Sequence, residues 1–221
     1  MSNIKKVYSK IKAGRLLSIL YEKFIIDLIP RIKGRCSLAI YSKIYANFSK
    51  GTNIRCWGRI MVRMSPESRI SIGNNVRMVS DFTRANISLL SHVKISSFFN
   101  STVIIGNGVG LSGTSITCRT TSITINDGTI IAPNVFIVDS DFHALWPPEN
   151  RTYNMGYERD KPVTIGKNVW IGMNCIILKG VTIGENTIIG SGSVVVKNIP
   201  PNVVAAGNPA HVIKKISALE E

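Results

Sequence analysis

The chain holds three histidines, His92, His143 and His211, and one of them stands among other residues able to do chemistry. His143 lies in DSDFHALW, preceded by Asp139 and Asp141 and followed by Trp146, Glu149, Arg151, Tyr153, Tyr157 and Glu158. An imidazole, with an ordinary pKa of about 6.5, can take a proton and give it back near neutral pH. A carboxylate on its far ring nitrogen would fix the tautomer and steady the imidazolium. Asp139, Asp141, Glu149 and Glu158 are all close enough in sequence to be considered for that role. Trp146, Tyr153 and Tyr157 offer flat faces on which a sugar ring can stack. Three histidines without paired spacing argue against a zinc site of converging imidazoles.

The elements that position this cluster are legible on both sides of it. Residues 163 to 200 return an aliphatic anchor every six positions: Ile165, Ile171, Ile177, Ile183, Ile189 and Val195. Gly166, Gly172, Gly184 and Gly190 each follow an anchor. Four residues after each anchor comes Val169, Cys175, Val181, Thr187, Ser193 or Ile199, each small or β-branched. A period of six fits neither a helix nor simple strand alternation. It fits a solenoid of short strands that turns a corner every six residues with the anchors inward. Three sides would close a triangular coil, and coils would stack at about 4.8 Å. Glycine near each corner is expected to relieve an unfavourable φ.

Upstream, from about 36 to 100, the beat is ragged. Clear turns of it are ISIGNNVRM from Ile70, IIGNGVGLSG from Ile104 and INDGTIIAPNVFI from Ile125, with polar pieces such as CRTTSIT between. From Val138 to Lys161 the beat stops, and Pro147-Pro148 breaks any regular element. A loop of this length is uncommon in a compact solenoid unless it has a function. It is expected to project from one corner, where it can reach a neighbouring subunit.

Size and composition suit one well-cored domain of 221 residues, 44% hydrophobic and 18% charged. The net charge of +14 points to an anionic ligand or an anionic surface. Nucleic acid is disfavoured, because the basic residues are scattered and no binding signature accompanies them. Cys36, Cys56, Cys118 and Cys175 show no metal-ligand spacing and suit a reducing cytoplasm, with Cys175 in the core. No signal peptide and no apolar run of membrane-spanning length is visible. Residues 1 to 35 carry nine Lys or Arg against Glu22 and Asp27. Within them LLSILYEKFIIDLI is expected to form an amphipathic helix ending before Pro30, packed on the coil or a neighbouring subunit, or resting on an anionic inner membrane face. The expected organisation is a basic helical segment over 1–35, the coil over 36–200 with its loop at 138–161, and a turn with a basic tail over 201–221.

The hexads, the DSDFH loop, the KPVTIG restart and GNPA at Gly207 to Ala210 together resemble the hexapeptide-repeat acyltransferases. The likeness covers about residues 70 to 216 and is strongest from 125 onward. Its nearest members are the maltose and galactoside acetyltransferases and the O-acetyltransferases of capsule and O-antigen. The resemblance implies an all-β fold, a left-handed parallel β-helix that assembles as a homotrimer. It also implies acetyl transfer from acetyl-CoA to a hydroxyl or an amine, with no metal.

Carried over residue by residue, the resemblance makes His143 the general base, although the usual His-Pro is here His143-Ala144 and the loop is a few residues longer. It makes Glu158, in GYERDKPVTIG, the orienting carboxylate, and Asp139 and Asp141 binders of the acceptor hydroxyl, with Trp146, Arg151 and Tyr153 beside the acceptor. It places coenzyme A in a groove between coils, against Trp170, Gly172, Met173, Gly190, Ser191 and Lys197, with His211 and Lys214 near phosphate. No Cys or Ser sits beside the base as a nucleophile, so direct transfer is expected. The expected acceptor is a sugar in a bacterial surface polysaccharide. Other readings are an N-acetyltransferase for a nucleotide-linked amino sugar, a zinc hydratase on the same fold and a non-catalytic glycan-binding trimer.

Overall fold

The computed structural model describes residues 28–85 and 87–216. Among them one α-helix, α1 (Ile29–Ile44), leads into a three-sided coil of strands. Face A stacks Phe48–Lys50, Arg69–Ile72, Thr102–Ile105, Ser122–Ile125, Val163–Ile165 and Thr182–Ile183. Face B stacks Arg55–Trp57, Arg77–Val79, Gly110–Ser112, Ile130–Ile131, Trp170–Ile171, Ile188–Ile189 and Val203–Gly207, closed by Ala210–Lys215. Face C stacks Met61–Met64, Lys94–Ser97, Ser115–Cys118, Phe136–Val138, Ile176–Ile177 and Val194–Val195. Every pairing is parallel except the last on face B, where Val203–Gly207 and Ala210–Lys215 form an antiparallel hairpin.

In the regular part, Thr164 lies against Thr182, Trp170 against Ile188 and Ile176 against Val194, so three hexads make one coil. The six anchors are buried, and so are the small residues four positions on. Two of those are polar and find partners at once: Thr187 Oγ1 donates to Pro200 O at 2.8 Å and Ser193 Oγ to Gly190 O at 2.5 Å. Burial of one aliphatic anchor is worth about 1.5–3 kcal/mol. One continuous core from Phe48 to Ala210 therefore needs no disulfide.

The glycines after the anchors serve a different purpose from the one expected. The left-handed corner conformation falls two residues later, on Asn168 (φ 54), Asn174 (φ 58), Gly180 (φ 76), Asn186 (φ 57) and Gly192 (φ 74). Asparagine tolerates that region, and here its amides also stack: Asn186 Nδ2 donates to Asn202 Oδ1 at 2.9 Å. Gly166 and Gly172 are needed because the next coil passes too close. A Cβ on Gly166 would lie 2.6 Å from Glu185 N, and one on Gly172 2.5 Å from Ser191 N.

The N-terminal boundary also differs from expectation. Pro30 stands in the first turn of α1, which has no use for its missing N–H. The helix runs on to Ile44, and the coil starts at Phe48. The helix expected before Pro30 falls, apart from Leu28, outside the described residues. Pro30, Gly34 and Leu38 face the coil, and Gly34 meets Cys56 so closely that no Cβ fits. The 201–221 tail is a hairpin strand as far as it is described.

Candidate active site

The loop between Val138 and Val163 projects where face C turns to face A, and an earlier corner grips its neck. That corner, Arg119 to Thr121, is the CRTT interruption of the beat. Asp139, the first loop residue, is fully buried. Its Oδ1 accepts the Arg119 N–H at 2.7 Å; its Oδ2 accepts the N–H groups of Thr120 at 3.1 Å and Thr121 at 3.0 Å. The Thr121 hydroxyl donates to the same oxygen at 3.0 Å. Asp139 therefore ties the loop to the coil, which corrects its expected role at the acceptor.

Asp160 closes the neck from the other end. Arg119 donates from Nε to Oδ2 at 2.8 Å and from Nη2 to Oδ1 at 2.6 Å, and Thr120 Oγ1 adds a bond of 2.6 Å. The two side chains are only 7% and 1% exposed. Burial works to raise the Asp160 carboxyl, but hydrogen bonds from Arg119, Thr120 and Ser140, and the guanidinium charge, hold it below the ordinary carboxylate range. The Arg119 guanidinium also lies 4.6 Å from the Tyr157 ring centroid and 5.7 Å from that of Phe142. One cation thus touches both arms of the loop, one residue before His143 and one residue before Glu158. Neither Arg119 nor Asp160 stood out in the sequence, where the only trace was the broken beat at 119–121.

Beyond the neck, His143 is exposed, and its Nδ1 lies 2.8 Å from the carbonyl oxygen of Arg151. A carbonyl only accepts, so the ring proton belongs on Nδ1 and Nε2 keeps its lone pair. The orienting group is a backbone carbonyl, where Glu158 was expected. Glu158 is exposed on the short turn Tyr157–Arg159, without a hydrogen bond or ion pair among the described residues. Arg151 braces the loop further, with Nη2 donating to Leu145 O at 3.1 Å, a contact different from the expected one with acceptor. Asp141 is engaged by Lys179 Nζ and lies 3.9 Å from Arg159 Nε. Only one edge of Asp141 is left for other partners.

Gly156 is the backbone requirement beneath the imidazole. It has φ 59, and a Cβ there would lie 3.1 Å from Ala144 N and 3.2 Å from His143 C. Ala144 N–H donates to Asn154 O at 2.9 Å, so the two arms cross directly under His143. Trp146 and Tyr153, 78% and 86% exposed, stand open at the tip beside it.

The residues expected to meet coenzyme A fall at two places. Trp170, Gly172, Met173, Gly190 and Ser191 lie on face B and the corner after it, and Gly192 N–H donates to Met173 O at 2.8 Å between the coils. His211 stands opposite Ala206 and Lys214 opposite Val204, on the same face. At 172 and 190 the missing Cβ makes room for the next coil: one on Gly172 would lie 2.5 Å from Ser191 N and one on Gly190 2.8 Å from Ala206 Cβ. Lys197 lies elsewhere, on the corner from which the His143 loop emerges. Face C separates the two corners, and six residues at about 3.3 Å each put them on the order of 15–20 Å apart. The corner that carries the His143 loop and the corner that carries Gly172 and Gly190 thus lie at opposite edges of face C. Among the described residues no three His, Cys, Asp or Glu side chains gather as metal ligands.

Residues 162–197 match the family model described as bacterial transferase hexapeptide, six repeats. The galactoside O-acetyltransferase of Escherichia coli is 47% identical over 96 residues, 43% of this chain and 45% of that protein. The chain spans about half the length of the curated relatives it matches. In three dimensions it resembles an N-acyltransferase of Bacillus cereus, AntD, solved with dTDP-4-amino-4,6-dideoxyglucose and coenzyme A. That likeness has a TM-score of 0.61 and 26% identity, and covers 82% of this chain and 90% of that one. A galactoside acetyltransferase solved with coenzyme A is 31% identical, with a TM-score of 0.51, over 85% of this chain and 81% of that chain. With that extent of shared sequence and shape, the chain belongs to the hexapeptide-repeat acyltransferases and has their fold, the left-handed parallel β-helix.

Proposed function

We propose that the protein is an acetyl-CoA-dependent O-acetyltransferase acting on a sugar hydroxyl, with His143 as general base. The observation that carries this reading is the bond from His143 Nδ1 to the Arg151 carbonyl, which puts the ring proton on Nδ1 and leaves Nε2 with its lone pair. The acetyl thioester supplies an activated acyl carbon. His143 Nε2 accepts the proton of the acceptor hydroxyl as the C–O bond forms, and holds it while the C–S bond breaks. The Arg151 carbonyl steadies the imidazolium through Nδ1–H, and the proton then passes to the leaving sulfur. Trp146 and Tyr153 give the sugar its stacking faces.

The active assembly is a homotrimer. Its support is the placement of the His143 loop and of the residues expected at coenzyme A on opposite edges of face C, which a neighbouring copy would bridge. Trp170, Ile130 and Phe136, exposed on faces B and C, supply apolar area for that contact. Coenzyme A would lie across the corner that carries Gly172, Met173, Gly190 and Ser191, with His211 and Lys214 toward its phosphates. A cytoplasmic setting follows from the donor. A surface-polysaccharide acceptor rests on the likeness of the DSDFH loop to that of the capsule and O-antigen O-acetyltransferases.

The test is turnover of His143→Ala with acetyl-CoA and a panel of sugars. A fall of about 10²–10⁴ with the oligomer intact is expected; near-normal turnover would remove the mechanism. A second reading, N-acyl transfer, is favoured by the likeness to AntD. The product decides between them, since mild alkali releases acetate from an ester and leaves an amide untouched.

A further inference from the structure

The coil begins with an end unlike the rest of the molecule. Helix α1 buries Pro30, Gly34 and Leu38 against the first coil, while the opposite side carries a second apolar stripe. Ile32, Cys36, Ile40 and Ile44 are spaced by four and exposed, the isoleucines by 53%, 53% and 63%. Residues four apart share one face of a helix, so this is a continuous exposed ridge, at whose middle Cys36 and Ile40 also border a groove with Gly58 and Arg59. The helix also contains Arg31, Lys33, Arg35 and Lys43 and no acidic residue. Beside it lies a cleft of about 950 Å³ whose lining includes Arg35, Lys50 and Arg55 and, among the described residues, no carboxylate. Over residues 28–81 Glu67 and Asp81 are the only acidic side chains, and Asp81 borders a groove with Lys33, Cys36 and Ile40.

We propose that this end of the prism docks on an anionic phospholipid bilayer, with the Ile32–Cys36–Ile40–Ile44 ridge at the headgroup–acyl boundary and the arginines of the cleft on lipid phosphates. An exposed apolar ridge with a cationic flank is the make-up of a helix that lies in the membrane interface. Each cation near an anionic surface adds attraction that salt screens. The ridge is too short to span, and no helix among the described residues is long and apolar enough to cross a membrane. A soluble polyanion would satisfy the arginines and leave the isoleucines in water, so the ridge selects a bilayer. A second copy of the chain, or its own residues 1–27, would bring like charge to this end, since those residues hold six Lys or Arg against Glu22 and Asp27. The inference is independent of the acetyl-transfer reading.

The test is co-sedimentation of the full chain with vesicles of phosphatidylcholine alone and of phosphatidylcholine with about 30% phosphatidylglycerol. Binding to the anionic vesicles only, weakened at 0.5 M salt, is expected. The double variant Ile32→Ser, Ile40→Ser, both exposed and outside the packed face, should bind at least tenfold less tightly, and Lys33→Glu, Arg35→Glu should bind less still. Four results overturn the proposal. They are absence of anionic-vesicle binding, equal binding to both vesicles, unchanged binding by the isoleucine variant (which assigns docking to residues 1–27), and a smaller oligomer for that variant (which assigns the ridge to a second copy).

Discussion

Arg119 Nε and Nη2 each bond one oxygen of Asp160, at 2.8 and 2.6 Å, across the neck of the loop that carries His143. Removing one partner of a buried pair strands the other and costs about 3–5 kcal/mol. Arg119→Met should therefore melt on the order of 10 °C lower in calorimetry. The same change frees Phe142 and Tyr157, so turnover should fall at least tenfold even well below the melting point. Arg119→Lys should rescue little of either, because an ammonium cannot make the two-pronged contact.

Acid should act through Asp160. Its folded pKa lies below the unfolded value of about 3.9, so the stabilisation is fully present above that value and is lost as pH falls through the folded pKa. Urea unfolding from pH 7 to pH 2 should show the gap between wild type and Asp160→Asn widest above about pH 4 and narrowing below it. A constant gap across that range would mean that the carboxylate charge is not what Arg119 and Thr120 hold.

Asp139 makes a clean contrast with an acceptor-binding carboxylate. Asp139→Asn places an amide NH₂ against N–H donors of the 119–121 corner and should cost about 1–3 kcal/mol. Because the side chain is fully buried, KM for the sugar should stay within about twofold while the urea midpoint drops. A large rise in acceptor KM without loss of stability would restore the role expected from sequence.

The regular coil was legible because its cause is local. An anchor every sixth residue is enough to place Ile165, Ile171, Ile177, Ile183, Ile189 and Val195 in the core, and all six are there. The extent of the loop was legible as the place where that period fails, and His143 as the histidine inside it. What escaped depends on partners far apart in sequence. Arg119 and Asp160 meet only because coils stack, and nothing in CRTT or RDK announces the pairing. Glu158 looked like the orienting group by analogy, yet a main-chain carbonyl, which every residue carries, does the work at Arg151. The purpose of Gly166 and Gly172 was misread for a related reason, since the obstruction comes from a neighbouring coil rather than from the local dihedral.

The register across the insertion has a broader meaning. Thr124 still faces Thr164, and Ile130 still faces Trp170, as though the intervening excursion did not exist. The shaft keeps count of turns and ignores what is hung from its edges. Such a molecule can exchange its working appendage for another, of different length and chemistry, without renegotiating a single core contact, provided that the graft starts and finishes one storey apart.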